Sequence, residues 1–309
     1  MLGLGLLGLC YGASWASPGE VLAVLSGADH SVVISEWRLP RVAAGMVFGA
    51  ALGVSGALFQ NLTRNPLGSP DVIGLDAGAY TGALFALTVL SGTSAQLAGA
   101  SLLGALIVSA VVYLLSADRG FSGLRLVVIG IAVNAMVTAL NSWIVLRADL
   151  EVAIAAVGWS AGSLNGVDWA DLRIPFAVIA VLLALMAVRT RAVHQTTLGD
   201  ALAVTTGVGL GRLRLLMVLV GVGCTATVTS VAGPIAFLAL TAPQIGRRLT
   251  GAPGIPLLPA ALTGAVLLQG ADLVAQALLA PVALPVGVVS TALGGGYLIW
   301  LLTKEVGRA

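Results

Sequence analysis

The sequence predicts an all-α membrane protein, a polytopic bundle of about ten transmembrane helices forming a single transmembrane domain over residues 1–309. Three observations predict it. Hydrophobic residues make up 58% of the chain and charged residues only 9%, whereas about a quarter of a soluble domain is charged. Mean hydropathy is +1.04. Apolar stretches recur along the whole length, separated by short polar or Gly/Pro-rich breaks. A spanning helix takes roughly 20 apolar residues, so the chain holds about ten with short loops.

The first stretch, Leu2–Ala16, is short and ends in Ser14-Trp15-Ala16, which also fits a signal-peptide cleavage site, although no basic residue precedes it. An outer segment, Ser17 to Trp37, carries Glu20, Asp29 and Glu36. Val42–Thr63 and Val72–Leu90 come next. Gly45, Gly49 and Gly53 in one, and Gly74, Gly78 and Gly82 in the other, recur at i, i+4, i+8. Such stripes let helices approach until dispersion replaces the missing hydrophobic drive. Between them, Asn65-Pro66-Leu67-Gly68-Ser69-Pro70 predicts a compact turn, because each proline disfavours helix at the residue before it.

Gln96–Ser116 and Leu124–Leu146 join through Asp118–Arg125. The outer loop that follows contains Trp159 and Trp169, placed as an interfacial aromatic belt. The second half gives Leu172–Val188, Leu213–Ser230, Ile235–Leu249, Leu257–Leu279 and Pro285–Thr303. Between helices six and seven lies Arg189 to Arg214, with four arginines, His194 and Asp200. Thr197 and Asp200 have capping-box spacing and Gly207 is placed to end the short helix they start. This stretch reads either as a basic loop or as a rigid two-helix platform against which a cytoplasmic partner pushes.

Orientation follows from the basic residues. With both termini inside, Arg64, Arg119, Arg125, Arg189, Arg191, Arg212, Arg214, Arg247, Arg248, Lys304 and Arg308 are cytoplasmic. Only Arg38, Arg41, Arg147 and Arg173 are outside, a positive-inside bias of 11 against 4. The net charge of +2 is thereby explained by topology and gives no reason to expect a nucleic-acid partner. Cys10 and Cys224 fall inside predicted helices and read as packing residues.

Few residues carry chemistry. Lys304 is the only lysine, so no phosphate-binding GxxxxGK[ST] loop exists and the chain has no ATPase site of its own. His30 and His194 fall on opposite sides of the membrane, which argues against a metal site. No nucleophile elbow or zincin motif is present, so an enzyme is not expected. Asp76 and Asp272 are intramembrane carboxylates, either ion-coupling groups or hydrogen-bonded structural ones. Arg38 and Arg41, on the side where positive charge is avoided, read either as lipid-headgroup contacts or as docking points for an acidic partner. A weak internal echo at one offset pairs Val54/Val231, Gly56/Gly233, Pro66/Pro243 and Gly74/Gly251. Inverted repeats of this kind are common in transporters.

The segment Gly233-Pro-Ile-Ala-Phe-Leu-Ala-Leu-Thr-Ala-Pro-Gln-Ile-Gly-Arg-Arg248 closely resembles the FecCD-type permeases, the membrane subunits of ATP-driven importers for iron-siderophores, haem and vitamin B12. Arg38-Leu-Pro-Arg41, Ser55-Gly56-Ala57, Asn65-Pro66-Leu67, Leu198-Gly199-Asp200, Ala271-Asp272-Leu273 and Leu284-Pro285-Val286-Gly287-Val288 follow in the family's order. The resemblance implies ten helices per subunit, two subunits around a pathway, a cytoplasmic ATPase dimer holding ATP-Mg, and an extracytoplasmic substrate-binding protein. Carried over, Leu198, Gly199, Asp200, Ala201, Leu202 and Gly207 belong to the coupling helix. Arg38 and Arg41 resemble the binding-protein docking arginines, and Ser122-Gly123-Leu124 the cytoplasmic gate. Gln276 and Ala283 stand where many members carry Arg and Glu, and Gln244 where many carry His.

The Pro-Gln-Ile form and Gly68-Ser69-Pro70-Asp71-Val72-Ile73-Gly74 look most like ferric-siderophore permeases that pair with a second, non-identical permease. Helices five and ten would line the pathway. Helix five offers Asn134, Thr138, Asn141 and Ser142 on one face, and helix ten Ser290, Thr291 and Gly294. These side chains face a broad, weakly polar pathway or glue helices together. The expected function is import of a ferric siderophore across the bacterial inner membrane. An ion-coupled secondary transporter or channel is the alternative.

Overall fold

A computed structural model describes residues 1–90, 92–117, 122–252, 254 and 256–306. Arg119 and Arg308, used above for orientation, lie outside the described residues. Thirteen α-helices are present among those described: α1 (Leu2–Cys10), α2 (Pro18–Leu25), α3 (Leu39–Thr63), α4 (Leu75–Val89), α5 (Ser94–Ala117), α6 (Gly123–Arg147), α7 (Leu150–Ser160), α8 (Trp169–Thr196), α9 (Asp200–Thr205), α10 (Leu210–Ala232), α11 (Leu238–Thr250), α12 (Leu257–Leu278) and α13 (Val286–Val306).

Six of them are long and apolar enough to cross a membrane, α3 being extended at its start by a π-turn from Val33. The expectation of about ten spanning helices is therefore met only in part. The stretches Leu2–Ala16, Val72–Leu90 and Ile235–Leu249 yield helices of 9, 15 and 13 residues, about 14–22 Å long against a hydrocarbon core of about 30 Å. Each has a local cause. Tyr11 ends α1 in an extended conformation. Pro70 and the left-handed Gly74 (φ 81°) turn the start of the third stretch into a separate 3-10 turn. Gly233 (φ 69°) and Phe237 (φ 65°) interrupt the chain before α11.

α3 is the central helix, with 78% of its apolar window buried, and α6 is the barest, with 11%. The glycine stripes do what their spacing predicts. A Cβ on Gly49 would sit 2.8 Å from Ala265 Cα, and one on Gly53 2.8 Å from the Ala260 carbonyl carbon, so α3 and α12 touch backbone to backbone. On α4, a Cβ at Gly82 would sit 2.8 Å from Ser101 Cα of α5. At that separation the Cα surfaces supply the dispersion contacts.

The echo that pairs Gly56 with Gly233 does not mark a repeat: Gly56 lies inside α3, whereas Gly233 ends α10. A different offset does. The starts of α4 and α11 (238 − 75 = 163), of α5 and α12, and of α6 and α13 are each separated by 163 residues. α3 packs on α12 as α10 packs on α5, and each short helix packs on the long one after it. Ser55 Oγ donates to Gly221 O (2.7 Å) and meets Thr225 Oγ1 (2.8 Å), while Phe59 lies over Gly221, so α3 and α10 run antiparallel. The halves are inverted, and their helical geometry repeats where their residues do not.

Candidate functional site

The segment between α8 and α10 is a platform hung on two glycine joints. Gly199 (φ 110°) and Gly207 (φ 86°) both adopt left-handed backbone that a side chain would strain, and neither has a neighbour within 4 Å of its Cβ direction. Between them α9 is a short helix whose Ala203 is buried. Leu198 is 69% exposed and Leu202 56%, and Ala201 is exposed as well.

The predicted capping box is absent. Thr197 remains helical at the end of α8, its Oγ1 donating to His194 O (2.7 Å), and Gly199 takes the N-cap position. Asp200 is thereby free to turn outward. Its Oδ1 lies 2.7 Å from Arg64 Nη2 and its Oδ2 accepts from Arg214 Nη2 at 2.8 Å. Gly207 ends the helix as expected, one residue beyond the C-cap Thr206.

Arg64 closes α3 in a left-handed conformation (φ 51°). Beside it, Gly123 begins α6, and a Cβ there would lie 2.6 Å from Thr63 Cα. Ser122 precedes it without a side-chain cap, and Leu124 is exposed. A cavity of about 390 Å³ opens here between the ends of α3, α8, α11 and α13. Arg64, Arg247 and Arg248 line it, together with the amides of Gln60 and Gln244. Gln244, where many relatives were expected to carry His, donates Nε2 to Gln60 Oε1 (2.6 Å) and to Pro66 O (3.3 Å). Gln60 in turn donates to Leu240 O (2.9 Å), so the start of α11 is stitched to α3.

At the opposite end of α3, Arg38 and Arg41 both make contacts within the chain. Arg38 is buried, and its guanidinium donates to Leu9 O (2.9 Å), Cys10 O (3.1 Å) and Ser14 O, the last carbonyls of α1 and the turn after it. A cation there complements the helix dipole and satisfies carbonyls that have no partner within α1. Arg41 forms a two-pronged pair with Asp272: Nε to Oδ2 at 2.9 Å and Nη2 to Oδ1 at 2.8 Å. Asp272 has no exposed side chain, and Gln276 Nε2 adds a third hydrogen bond at 2.8 Å. Both arginines hold helices together, and this carboxylate is a paired anion. Asp76 accepts from Thr229 Oγ1 at 3.3 Å.

The pathway stripe divides. Asn141 is buried, donating to Ala77 O (2.9 Å) and accepting from Thr81 Oγ1 (2.7 Å), so it glues α6 to α4. Asn134 backs onto Gly74. Thr138 and Ser142 are exposed, the Ser142 hydroxyl donating to Thr138 O. On α13, Ser290 is buried and donates to Ala236 O (3.2 Å) and Gly287 O (3.0 Å), and Gly294 backs onto Phe237. Thr291 is exposed, its hydroxyl bonded to Gly287 O. Trp169 is half-buried and donates Nε1 to Ser35 O (2.9 Å) in the π-turn. α7 lies inside the predicted outer loop, and the other helix missed outright was α2. Its signal was present: Ser17-Pro-Gly-Glu20 forms a reciprocal capping box with proline at the first turn.

Known proteins resemble this chain in sequence and in fold. The sequence profile of the FecCD transport family matches residues 1–304. The ferric enterobactin transport system permease protein FepG of Escherichia coli K12 is 46% identical over 304 residues, covering 97% of this chain and 92% of that protein. The siderophore transport system permease YfhA of Bacillus subtilis is 34% identical over 95% of this chain and 89% of its own, and the Fe(3+) dicitrate permease FecD of E. coli 34% over 90% and 87%. A solved structure described as an inward-facing metal-chelate type ABC transporter superposes with a TM-score of 0.84 at 24% identity, covering 98% of this chain and 96% of that one. The chain is a multi-pass membrane protein and belongs to the FecCD transport family.

Proposed function

We propose that this chain is the permease subunit of an ATP-binding-cassette importer that carries a ferric siderophore into the cytoplasm. The observation that carries the reading is the α9 platform: exposed leucines on a short helix between two glycine joints, in a chain 46% identical to a ferric enterobactin permease. Such a surface suits insertion into a preformed groove on an ATPase subunit. ATP-Mg is bound by that partner and hydrolysed there. The bare face of α6, with Thr138 and Ser142, is assigned to the pathway and to a second, non-identical permease subunit. A substrate-binding protein delivers the chelate at the end carrying Arg38 and Arg41. Both termini lie in the cytoplasm, on the side of the 11 basic residues.

The test is uptake of radioiron-labelled ferric enterobactin into proteoliposomes holding this chain, its second permease and its ATPase, with binding protein outside. ATP enclosed in the vesicles should drive accumulation, and an ATPase inhibitor should abolish it. Uptake by the chain alone under a proton or sodium gradient would replace this reading with the ion-coupled one.

A further inference from the structure

We infer that Asp200 is a positioning residue that passes movement of α9 to the start of α6, through Arg64 and the last turn of α3. The inference rests on the reading of α9 as the ATPase-facing helix. Its basis is geometric. α9 joins its neighbours through Gly199 and Gly207, whose left-handed backbones have open space around them, so the backbone alone transmits little. Asp200 supplies the stiff connection. Its two oxygens hold different elements, Arg64 at the end of α3 (2.7 Å) and Arg214 in the first turn of α10 (2.8 Å). α3 and α10 are themselves locked by the buried Ser55, Gly221 and Thr225 contacts. The residue before Arg64 leaves no slack, since a Cβ on Gly123 would fall 2.6 Å from Thr63 Cα and 3.1 Å from Leu62 O. A shift of Asp200 that pulls on Arg64 therefore bears on the first residue of α6.

The side chains of Arg64 and Asp200 are 57% and 41% exposed. Pairs so open to water contribute little to folding stability. What the pair fixes is where α9 sits relative to α3. Variants should therefore fold and assemble, and the defect should be in the yield of transport per ATP.

The experiment uses the whole importer in proteoliposomes, purified through its ATPase subunit so that unassembled chains drop out. It measures ferric enterobactin imported per ATP hydrolysed. Asp200→Asn and Arg64→Gln should each lower that ratio about three- to tenfold, the double variant should be no worse than the poorer single, and Asp200→Glu should restore most of it. Unchanged ratios in both singles, or losses that multiply in the double, would overturn the inference. The platform reading is checked separately by a cysteine at Leu202, with Cys10 and Cys224 changed to alanine, cross-linked to the ATPase. A cross-link with unchanged ratios removes only the role of Asp200. No cross-link in any nucleotide state removes the platform reading and the inference with it.

Discussion

Replacing Asp272 with asparagine keeps its volume and removes its charge. In the native chain the carboxylate accepts three hydrogen bonds, two from Arg41 and one from Gln276, and its side chain has no exposed surface. The amide has one acceptor oxygen and presents N–H groups to a guanidinium that has only donors. Breaking a buried pair from one side typically costs 3–5 kcal/mol. Arg41 remains 18% exposed and recovers part of its hydration, so about 2–3 kcal/mol is the expected loss. For a chain of this length that corresponds to a fall of about 3–5 °C in the unfolding midpoint. The double variant Arg41→Met/Asp272→Leu leaves no orphaned charge and should regain most of the loss. Intrinsic fluorescence during heating, on chain held in lipid nanodiscs, reads both. A midpoint for Asp272→Asn within 1 °C of the native one would refute the reasoning. Transport separates the two functional readings: if the double variant is stable yet ATP-driven uptake is abolished, the carboxylate is an ion-coupling group.

Two further outcomes follow from packing. Gly56→Ala should sharply reduce folded yield, read by detergent size-exclusion chromatography, because its methyl would overlap the Ala239 carbonyl; Gly211→Ala, in open helical space, should match or slightly exceed the native yield. In a background lacking Cys10 and Cys224, cysteine at Thr138 should react with a membrane-impermeant thiol reagent in at least one nucleotide state, whereas cysteine at Asn141, packed on α4, should stay protected in all of them.

The long spans were legible because composition and apolar run length dictate them, and the glycine stripes because close approach demands small residues at fixed spacing. The short platform helix was legible from Gly207. What escaped were relations between distant residues. Nothing near Arg41 in sequence announces Asp272, 231 residues away, and a guanidinium facing out reads the same as one turned in. The polar stripe on α6 shared a face by periodicity, yet Asn141 is buried against Ala77 and Thr81 while Thr138 is exposed. Periodicity assigns a face to a helix, and the neighbour's position decides what that face meets. The repeat was sought in matching glycines and prolines, whereas helix starts carry it.

The Arg41–Asp272 pair also sets a clock on biogenesis. A ribosome adding 5–20 residues per second needs on the order of ten to fifty seconds to travel from Arg41 to Asp272. Throughout that interval α3 sits in or beside the insertion machinery with a guanidinium whose counter-ion has not been made. Its late partner belongs to α12, the helix on which the glycines of α3 also wait. A chain cut short before α12 thus exposes both an uncompensated charge and a bare glycine groove on α3.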